Sequence, residues 1–207
     1  MGRYIGPKNK IARRFGVNLG LKTNPTKVAR RLSQPPGVHG PHKRFGTLSS
    51  FGKQMLEKQK AKFVYGLRER QMSRYVKEAT RLSGDSGVNL MRLLEMRLDN
   101  VAYRLGFANT RAQARQMVNH GLIVVNGRSI DIPSHHVQAG DTVGVKETKK
   151  GKGLFDGLSE RLAVRDLPSW LSCDAGALSG KILHAPAKED GENVFDITLV
   201  IEYYSSR

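Results

Sequence analysis

The sequence predicts an α+β fold with a basic extended N-terminal arm, a helical domain, and a small α/β module of two helices, a β-hairpin and an antiparallel sheet. Proline and glycine interrupt residues 1–46 repeatedly, apolar residues recur at helical spacing over 48–105, and short apolar runs separated by turn dipeptides follow residue 121. We expect the segment 190–207 to complete the helical domain. The arm, the helical domain and the α/β module are expected at residues 1–46, 47–93 and 94–189.

The arm contains little apolar surface, and its prolines and glycines leave no room for long helices. The strongest interruptions are Asn24-Pro25 and the stretch PPGVHGPHKRFG at 35–46. A segment of this composition cannot bury enough apolar area to fold alone. We therefore expect the arm to become ordered only on a partner.

Two helices are predicted between residues 48 and 82. The first has apolar residues at helical spacing up to Val64 and stops at Gly66. The second has one apolar face, with arginines and lysines placed off that face. This face is formed by Met72, Tyr75, Val76 and Ala79.

A third helix is predicted over 88–105, where a buried stripe ends at Gly106, a residue suited to the position after a helix. The stripe consists of Leu94, Leu98, Val101 and Leu105. Thr110 and Gln113 then form the T-x-x-Q pattern of a capping box, which predicts a short helix that ends at Gly121.

Three strands are predicted after this short helix. LIVV at 122–125 and RSIDI at 128–132 flank Asn126-Gly127, a dipeptide typical of the two-residue type I′ hairpin turn. TVGVK at 142–146 follows a turn at Gly140-Asp141. The pattern therefore predicts an antiparallel hairpin followed by a third strand.

The last third of the chain has a weaker pattern. Trp170, Leu171 and Ile182 are expected core residues, and Cys173 is expected to be a small packed residue. FDITLVIEYY at 195–204 alternates apolar and polar residues, which favours a strand, but its length also suits a short buried helix.

The composition excludes several classes of protein. The sequence contains one cysteine, so neither an internal disulfide nor a zinc site built on cysteines can form. No apolar run approaches the roughly 18 residues that a membrane-spanning helix needs. Residues 1–10 lack an apolar centre, so no signal peptide is expected there.

The formal net charge is +17, and it is confined to one part of the chain. Residues 1–81 contain 20 lysines and arginines but three acids, whereas residues 82–207 contain 15 of each. A charge of about 2–8 is enough to keep a small domain soluble, so this excess predicts a polyanionic partner. A membrane partner would need an amphipathic helix with a Trp- or Leu-rich face, which residues 1–45 lack. Nucleic acid is therefore the expected partner, and no membrane association is expected.

Arg111 and Arg115 are four residues apart and share one face of the short helix. Guanidinium groups on a rigid helix can form paired hydrogen bonds with phosphate oxygens or stack on unpaired bases. The hairpin turn would project Asn126 and Arg128 on the same side. Two arginines alone are equally consistent with a solvated surface, and the hairpin favours a nucleic-acid-binding face.

Residues 97–145, RLDNVAYRLGFANTRAQARQMVNHGLIVVNGRSIDIPSHHVQAGDTVGV, resemble the small RNA-binding module shared by ribosomal protein S4, some pseudouridine synthases and some tyrosyl-tRNA synthetases. The flanking motifs resemble the bacterial or organellar S4 family specifically, and they occur in the family's order over nearly the full chain. These motifs are PPGVHG at 35–40, YGLRERQ at 65–71 and VIEYYSSR at 200–207.

The resemblance implies a structural component of the small ribosomal subunit, not an enzyme, on a cytoplasmic or organellar ribosome. It implies primary binding to small-subunit ribosomal RNA at a multi-helix junction in the five-prime part of that RNA, which nucleates assembly of the subunit body. It also implies a contact with ribosomal protein S5, a place near the channel through which messenger RNA enters, and a role in translational accuracy.

The resemblance also implies RNA-binding residues. In the family, positions matching Thr110, Arg111, Gln113, Arg115, His120 and the corner Val125-Asn126-Gly127 line the RNA face. The complete set expected from the basic patches and the resemblance is Arg3, Arg13, Arg14, Lys22, Arg30, Arg31, His39, Lys43, Arg44, Lys53, Arg70, Arg74, Arg97, Thr110, Arg111, Gln113, Arg115, His120, Asn126 and Arg128.

Many family members carry a cysteine cluster that holds zinc, in the segment that corresponds to residues 12–32. This chain has Ala12 and no cysteine in that segment. We therefore expect no metal and no cofactor.

Catalytic interpretations are weak. Glu95 and Asp99 could be paired carboxylates, but we expect them to balance Arg92 and Arg97. GALSGK at 176–181 is one residue short of a phosphate-binding loop. We accordingly expect no catalytic residue.

Two other functions use the same module. An RNA-modifying enzyme of the pseudouridine synthase type would need a separate catalytic domain, and about 60 residues after residue 146 are few for one. A free-standing RNA-binding stress protein would not need the long basic arm.

Overall fold

The computed structural model describes residues 4–42 and 46–205, and its contacts group the chain into two compact units. Unit 1 comprises residues 1–90 and 192–207, and unit 2 comprises residues 91–191. The arm is grouped with the helical residues in unit 1, and a separate domain over 1–46 stays a prediction.

The described residues form nine α-helices and five strands, which gives the α+β class that the sequence predicts. The helices are α1 (Lys8–Phe15), α2 (Pro25–Ala29), α3 (Ser50–Val64), α4 (Glu69–Arg81), α5 (Ser86–Glu95), α6 (Leu98–Arg104), α7 (Arg111–Asn119), α8 (Leu158–Ala163) and α9 (Ile197–Ser205). The strands are β1 (Ile123–Val125), β2 (Arg128–Ser129), β3 (Thr142–Val145), β4 (Leu171–Asp174) and β5 (Ser179–Ile182).

The arm is less extended than its composition suggests. It forms α1 and α2, and it buries the apolar side chains of Ile11, Ala12, Leu19 and Val28. Arg13 donates hydrogen bonds to the backbone oxygens of Gln34 at 2.9 Å and Pro35 at 3.0 Å. These bonds tie α1 to the proline-rich part of the arm.

The two helices predicted between residues 48 and 82 are confirmed as α3 and α4. The Ser49 hydroxyl oxygen caps α3 by accepting a hydrogen bond from the Gly52 N–H at 3.2 Å. Helix α4 buries three of the four predicted face residues, Met72, Val76 and Ala79.

The segment 195–204, which favoured a strand by its alternation, forms helix α9 instead. Asp196 Oδ1 caps the helix by accepting from the Thr198 N–H at 2.8 Å. Tyr203 is buried, and its ring stacks on Phe51 of α3 with the ring centres 5.8 Å apart. Packing against α3 buries apolar residues of this helix. Alternation with a period of two over a short segment cannot exclude a helix.

The predicted third helix is broken into α5 and α6. Arg97 has extended backbone angles and pairs with His136 as an isolated β-bridge. Val137 donates its N–H to the Met96 oxygen at 3.0 Å, and Leu98 donates to the His135 oxygen at 2.9 Å. The break therefore results from pairing with a distant segment, which local periodicity does not reveal.

Unit 2 contains an antiparallel sheet in the order β2-β1-β3-β5-β4. Val125 pairs with Arg128, and the intervening Asn126 and Gly127 have φ angles of 49° and 78°. The type I′ turn is thus confirmed. Strand β2 is shorter than the predicted 128–132, because regular pairing with β1 stops at Ser129.

The core of unit 2 lies between the sheet and helices α6 and α7. The predicted stripe is fully buried, and so is Trp170. A side-chain carbon at Gly180 of β5 would clash with Leu105, the residue that follows α6, and would lie 2.8 Å from the backbone oxygen of Ser172, so this position requires glycine.

Candidate nucleic-acid interface

Helix α7 begins at a capped turn. The Thr110 hydroxyl oxygen accepts from the Gln113 N–H at 3.2 Å, and the Gln113 side-chain oxygen accepts from the Asn109 N–H at 3.0 Å. The predicted capping box is therefore altered in its return bond, which goes to residue 109. Thr110 is buried and its side chain caps the helix, and its expected contact with RNA stays a prediction. Gln113 is half-buried.

Arg111 is held by two residues of α6. Its Nε donates to Asn100 Oδ1 at 2.7 Å, and its guanidinium carbon lies 4.5 Å from the centre of the Tyr103 ring. A charge-assisted hydrogen bond and a cation–π contact together fix the plane of this group. The side chain is half-buried, so it is oriented and still reaches the surface.

Arg115 is held by Asp99, the residue before Asn100. An Arg115 nitrogen donates to Asp99 Oδ2 at 3.1 Å. Asp99 also accepts two hydrogen bonds from Arg97, at 3.0 Å and 2.8 Å. Arg97 is 1% exposed, so its side chain lies inside the protein, and its expected contact with RNA stays a prediction. Its guanidinium supplies a buried positive charge next to the Asp99 carboxylate.

Glu95, the last residue of α5, forms a second buried centre with residues of α6. Arg104 donates two hydrogen bonds to its carboxylate, both at 2.9 Å, and Asn100 Nδ2 donates a third at 2.8 Å. The predicted balance of Asp99 by Arg97 is confirmed, but Glu95 pairs with Arg104 rather than Arg92. With both carboxylates engaged by arginines, neither has the arrangement of a catalytic pair.

The two carboxylates of this network lie deeper than some of its arginines. Arg97 and Arg115 form ion pairs with Asp99, and Arg104 forms one with Glu95. Both carboxylate side chains are nearly inaccessible, whereas those of Arg104 and Arg115 are 18% and 21% exposed. The negative charge is therefore inside, and part of the positive charge is at the surface.

The hairpin turn is braced by its own asparagine. Asn126 Nδ2 donates to Asp141 Oδ1 at 2.8 Å, and Asn126 Oδ1 accepts from the Thr142 N–H at 2.9 Å. The amide thus connects the turn to the start of β3, a use that the sequence did not indicate. Arg128 follows the turn as an exposed cation, and His120 is exposed at the end of α7.

In unit 1, the predicted RNA-binding residues are mostly exposed cations. None of these lysines and arginines has an acidic ion-pair partner among the residues that the structure describes. They are Arg14, Lys22, Arg30, Arg31, Lys53, Arg70 and Arg74. His39 is exposed as well, whereas Arg13 uses its guanidinium inside the arm. Arg3, Lys43 and Arg44 lie outside the described residues.

Unit 1 also contains a partly buried ion-pair cluster around Glu69. Lys58 is buried and lies 2.8 Å from Glu69, which also accepts from the Tyr204 hydroxyl at 2.7 Å. Burial raises the pKa of Glu69, but the hydrogen bonds from Lys58 and Tyr204 and the charges of Lys58 and Lys62 outweigh it. The net result is a pKa below the ordinary value of 4.5.

Sequence reasoning missed Asn100, Tyr103 and Arg104 as parts of this interface, because spacing within one helix does not show the contacts between α6 and α7. One signal for Asn100 was present: a polar residue stands next to the apolar stripe, between Leu98 and Val101. A buried asparagine needs hydrogen-bond partners, and this requirement would have directed attention to α6.

The remaining sequence candidates do not form sites. GALSGK contains the turn and the first residues of β5, and Asp174 Oδ1 accepts from the N–H groups of Gly176 and Ala177 there. Cys173 packs against the core, and burial and the Asp174 charge raise its thiol pKa. Over residues 4–42 and 46–205, no three or more His, Cys, Asp and Glu side chains are grouped to hold a metal ion. No helix in the described part of the chain has the length and hydropathy to cross a bilayer.

Comparison with known proteins matches two segments of the chain to family models. Residues 3–95 match the family described as ribosomal protein S4/S9 N-terminal domain, and residues 96–143 match the S4 domain. Proteins named small ribosomal subunit protein uS4 from Roseiflexus castenholzii, Chloroflexus aurantiacus and Herpetosiphon aurantiacus are 45%, 46% and 47% identical to this chain. Each comparison covers 99% of this chain and 100% of the relative.

Proposed function

The chain belongs to the ribosomal protein S4 family, and on this premise we propose that it binds small-subunit ribosomal RNA through the α7 face and the exposed cations of unit 1. It is a structural component of the small ribosomal subunit and not an enzyme, so its location is the ribosome. The alternatives of an RNA-modifying enzyme and a stress protein are not favoured.

The observation that carries the α7 assignment is the pair of oriented arginines. Arg111 and Arg115 share a face one helical turn apart, and each is held by a hydrogen bond from its guanidinium to α6. Oriented guanidiniums suit phosphate oxygens, which define the shape of a folded RNA. The excess of positive charge in residues 1–81 supplies the attraction that acts over longer distances.

Recognition in this proposal depends on shape and phosphate positions. The major groove of an A-form RNA helix is too deep and narrow for side chains to read its bases. A protein that fixes several cations at set spacings can instead select a junction where phosphates from different helices meet. The RNA-binding set proposed here keeps Arg111, Gln113, Arg115, His120 and Arg128 of unit 2 with the exposed cations of unit 1.

Family membership supports further proposals. We infer an early binding step at a multi-helix junction in the five-prime part of the RNA, which would nucleate assembly of the subunit body. A contact with ribosomal protein S5, a place near the channel through which messenger RNA enters, and an effect on translational accuracy are proposed on the same ground. Whether the ribosome is cytoplasmic or organellar stays a prediction.

The proposal is tested by replacing both α7 arginines with glutamine and measuring binding to a transcribed five-prime fragment of bacterial small-subunit ribosomal RNA. Glutamine is used because a glutamate at position 115 would face Asp99. We expect the Arg111→Gln/Arg115→Gln variant to bind about tenfold or more weakly, since each hydrogen bond to a charged group contributes about 1.5–3 kcal/mol. The charge-matched control is Lys149→Gln/Lys152→Gln in the loop after β3. Equal losses in the two variants would show diffuse attraction and refute the α7 assignment.

A further inference from the structure

We propose that Asn100 and Asp99 are positioning residues for RNA recognition, because they hold the guanidinium groups of Arg111 and Arg115 in set orientations before RNA binds. This inference rests on the proposed function, since it takes α7 as part of the RNA face. It adds two residues of α6 that themselves touch no RNA.

Two consecutive residues of α6 serve two arginines that are one turn apart on α7. Asn100 Oδ1 accepts from Arg111 at 2.7 Å, and Asp99 Oδ2 accepts from Arg115 at 3.1 Å. Consecutive helical residues point about 100° apart, so each reaches a different level of the neighbouring helix. One short stretch of α6 therefore sets the direction of both guanidiniums.

The amide of Asn100 is itself fixed in one orientation. Its Nδ2 donates to the backbone oxygen of Glu95 at 2.9 Å and to the Glu95 carboxylate at 2.8 Å. An amide has donors on one side and an acceptor on the other, so these two bonds turn Oδ1 towards Arg111. Glu95 is fully buried and is locked by two hydrogen bonds from Arg104.

Asp99 orients Arg115 without cancelling its charge. Arg97 forms two hydrogen bonds with the same carboxylate, and its side chain is 1% exposed, whereas that of Arg115 is 21% exposed. The buried arginine therefore supplies the counter-charge for Asp99. Arg115 is the more accessible of the two arginines, and we propose that it is the one that contacts a phosphate group.

Holding these side chains in advance strengthens RNA binding. A long side chain that becomes immobile only on binding loses conformational entropy, and this loss weakens affinity by about 2- to 10-fold for each side chain. Removing a positioning residue should therefore weaken RNA binding by that amount, and it should do so only while its arginine is present.

A double-mutant cycle tests this. Wild type, Asn100→Ala, Arg111→Gln and the double variant are titrated with the five-prime ribosomal RNA fragment at constant salt. We expect Asn100→Ala to weaken binding about 2- to 10-fold in the wild-type background, and to have no further effect when Arg111 is already glutamine. Two outcomes would overturn this inference alone. One is that Asn100→Ala weakens binding equally in both backgrounds. The other is that Asn100→Ala does not weaken binding although Arg111→Gln clearly does. No loss in Arg111→Gln itself would overturn the α7 assignment together with this inference.

Two further variants separate positioning from a loss of fold. Asn89→Ala removes another buried asparagine, one that donates to three backbone oxygens in unit 1, and should lower the melting temperature without changing RNA affinity. Tyr103→Leu removes the ring beneath Arg111 at a half-buried position, so the fold should persist. It should weaken binding only while Arg111 is present. If RNA affinity follows the melting temperature across all of these variants, Asn100 has a structural role and the inference is wrong.

Discussion

Unit 1 and unit 2 place positive charge in different ways. In unit 1, exposed arginines and lysines such as Arg30, Arg70 and Arg74 have no acidic ion-pair partner among the described residues. In unit 2, the arginines of α7 are bound to the buried acceptors Asn100 and Asp99. Exposed cations attract a polyanion over a distance, whereas held guanidiniums favour one geometry of phosphates. The difference indicates that attraction and recognition are assigned to different parts of this chain.

The largest expected effect comes from removing the buried carboxylate of Asp99 in unit 2. Asp99→Ala leaves the guanidinium of Arg97 buried without its carboxylate, and such a change costs about 3–5 kcal/mol. Chemical denaturation should show this loss. The control Asp131→Ala removes an exposed acid and should stay within about 0.5 kcal/mol of wild type. A small effect of Asp99→Ala would show that the network in unit 2 is solvated like the surface of unit 1.

The second prediction concerns the exposed cations of the arm. Changing Arg14, Lys22, Arg30 and Arg31 to glutamine should reduce the slope of log affinity against log salt by about 3, because each lost phosphate contact removes about 0.7–0.9. Thermal stability should not change, since these side chains are exposed. RNA titrations at several salt concentrations measure the slope.

A control for the arm removes the same number of charges from unit 2. The residues changed to glutamine are Lys149, Lys150, Lys152 and Lys181. We expect this variant to lose less of the slope than the arm variant. If the slope of log affinity against log salt falls equally in the two variants, the cations of unit 1 have no special part in attracting RNA, and the contrast between the units is wrong.

A smaller loss of stability is expected at the Lys58–Glu69 ion pair of unit 1. Glu69→Gln removes the carboxylate from the buried amine of Lys58, but Glu69 is 48% exposed, so water replaces part of the interaction. We expect a loss of about 1–2 kcal/mol in unfolding free energy, well below that of Asp99→Ala. Glu78→Gln, an exposed change on the same helix, should have almost no effect. If Glu69→Gln lowers the unfolding free energy as much as Asp99→Ala does, the ion pair of Glu69 is not weakened by its exposure to water.

The smallest effect is a dependence on pH. The folded pKa of Glu69 lies below its ordinary value of 4.5, so its charge stabilises the fold fully above that pH. This contribution is lost as the pH falls below 4.5 and through the folded pKa, where the folded state also takes up the proton. Unfolding measured at several pH values should show a smaller decline in this window for Glu69→Gln than for wild type. Identical declines in the two proteins would show that Glu69 does not have a lowered pKa in the folded state.

Much of the local structure was predictable from the sequence because it depends on neighbouring residues. The faces of α3 and α4, the capped start of α7 and the Asn126-Gly127 turn follow from helical spacing, capping and backbone preference. Arg111 and Arg115 were predicted to share a face for the same reason. Their spacing in the sequence does not show which distant groups hold them.

The sequence predictions were wrong or stayed open where distant segments decide the outcome. The helix predicted over 88–105 breaks at Arg97 because residues 135–137 pair with that point. The segment 195–204 forms a helix because α3 offers it a packing surface. Arg97 was expected at the RNA surface because all arginines look alike in a sequence, and only its burial on Asp99 separates it from Arg115.

The sequence by itself determined the fold class, the polyanionic partner and the arginine pair on one helix, because composition and short-range spacing are properties of the chain before it folds. Only the tertiary structure decided which arginines are at the surface and how they are held. Asp99 and Asn100 acquire their partners through the packing of α6 on α7, and hydrogen bonds between packed helices depend on positions in space that no local pattern contains.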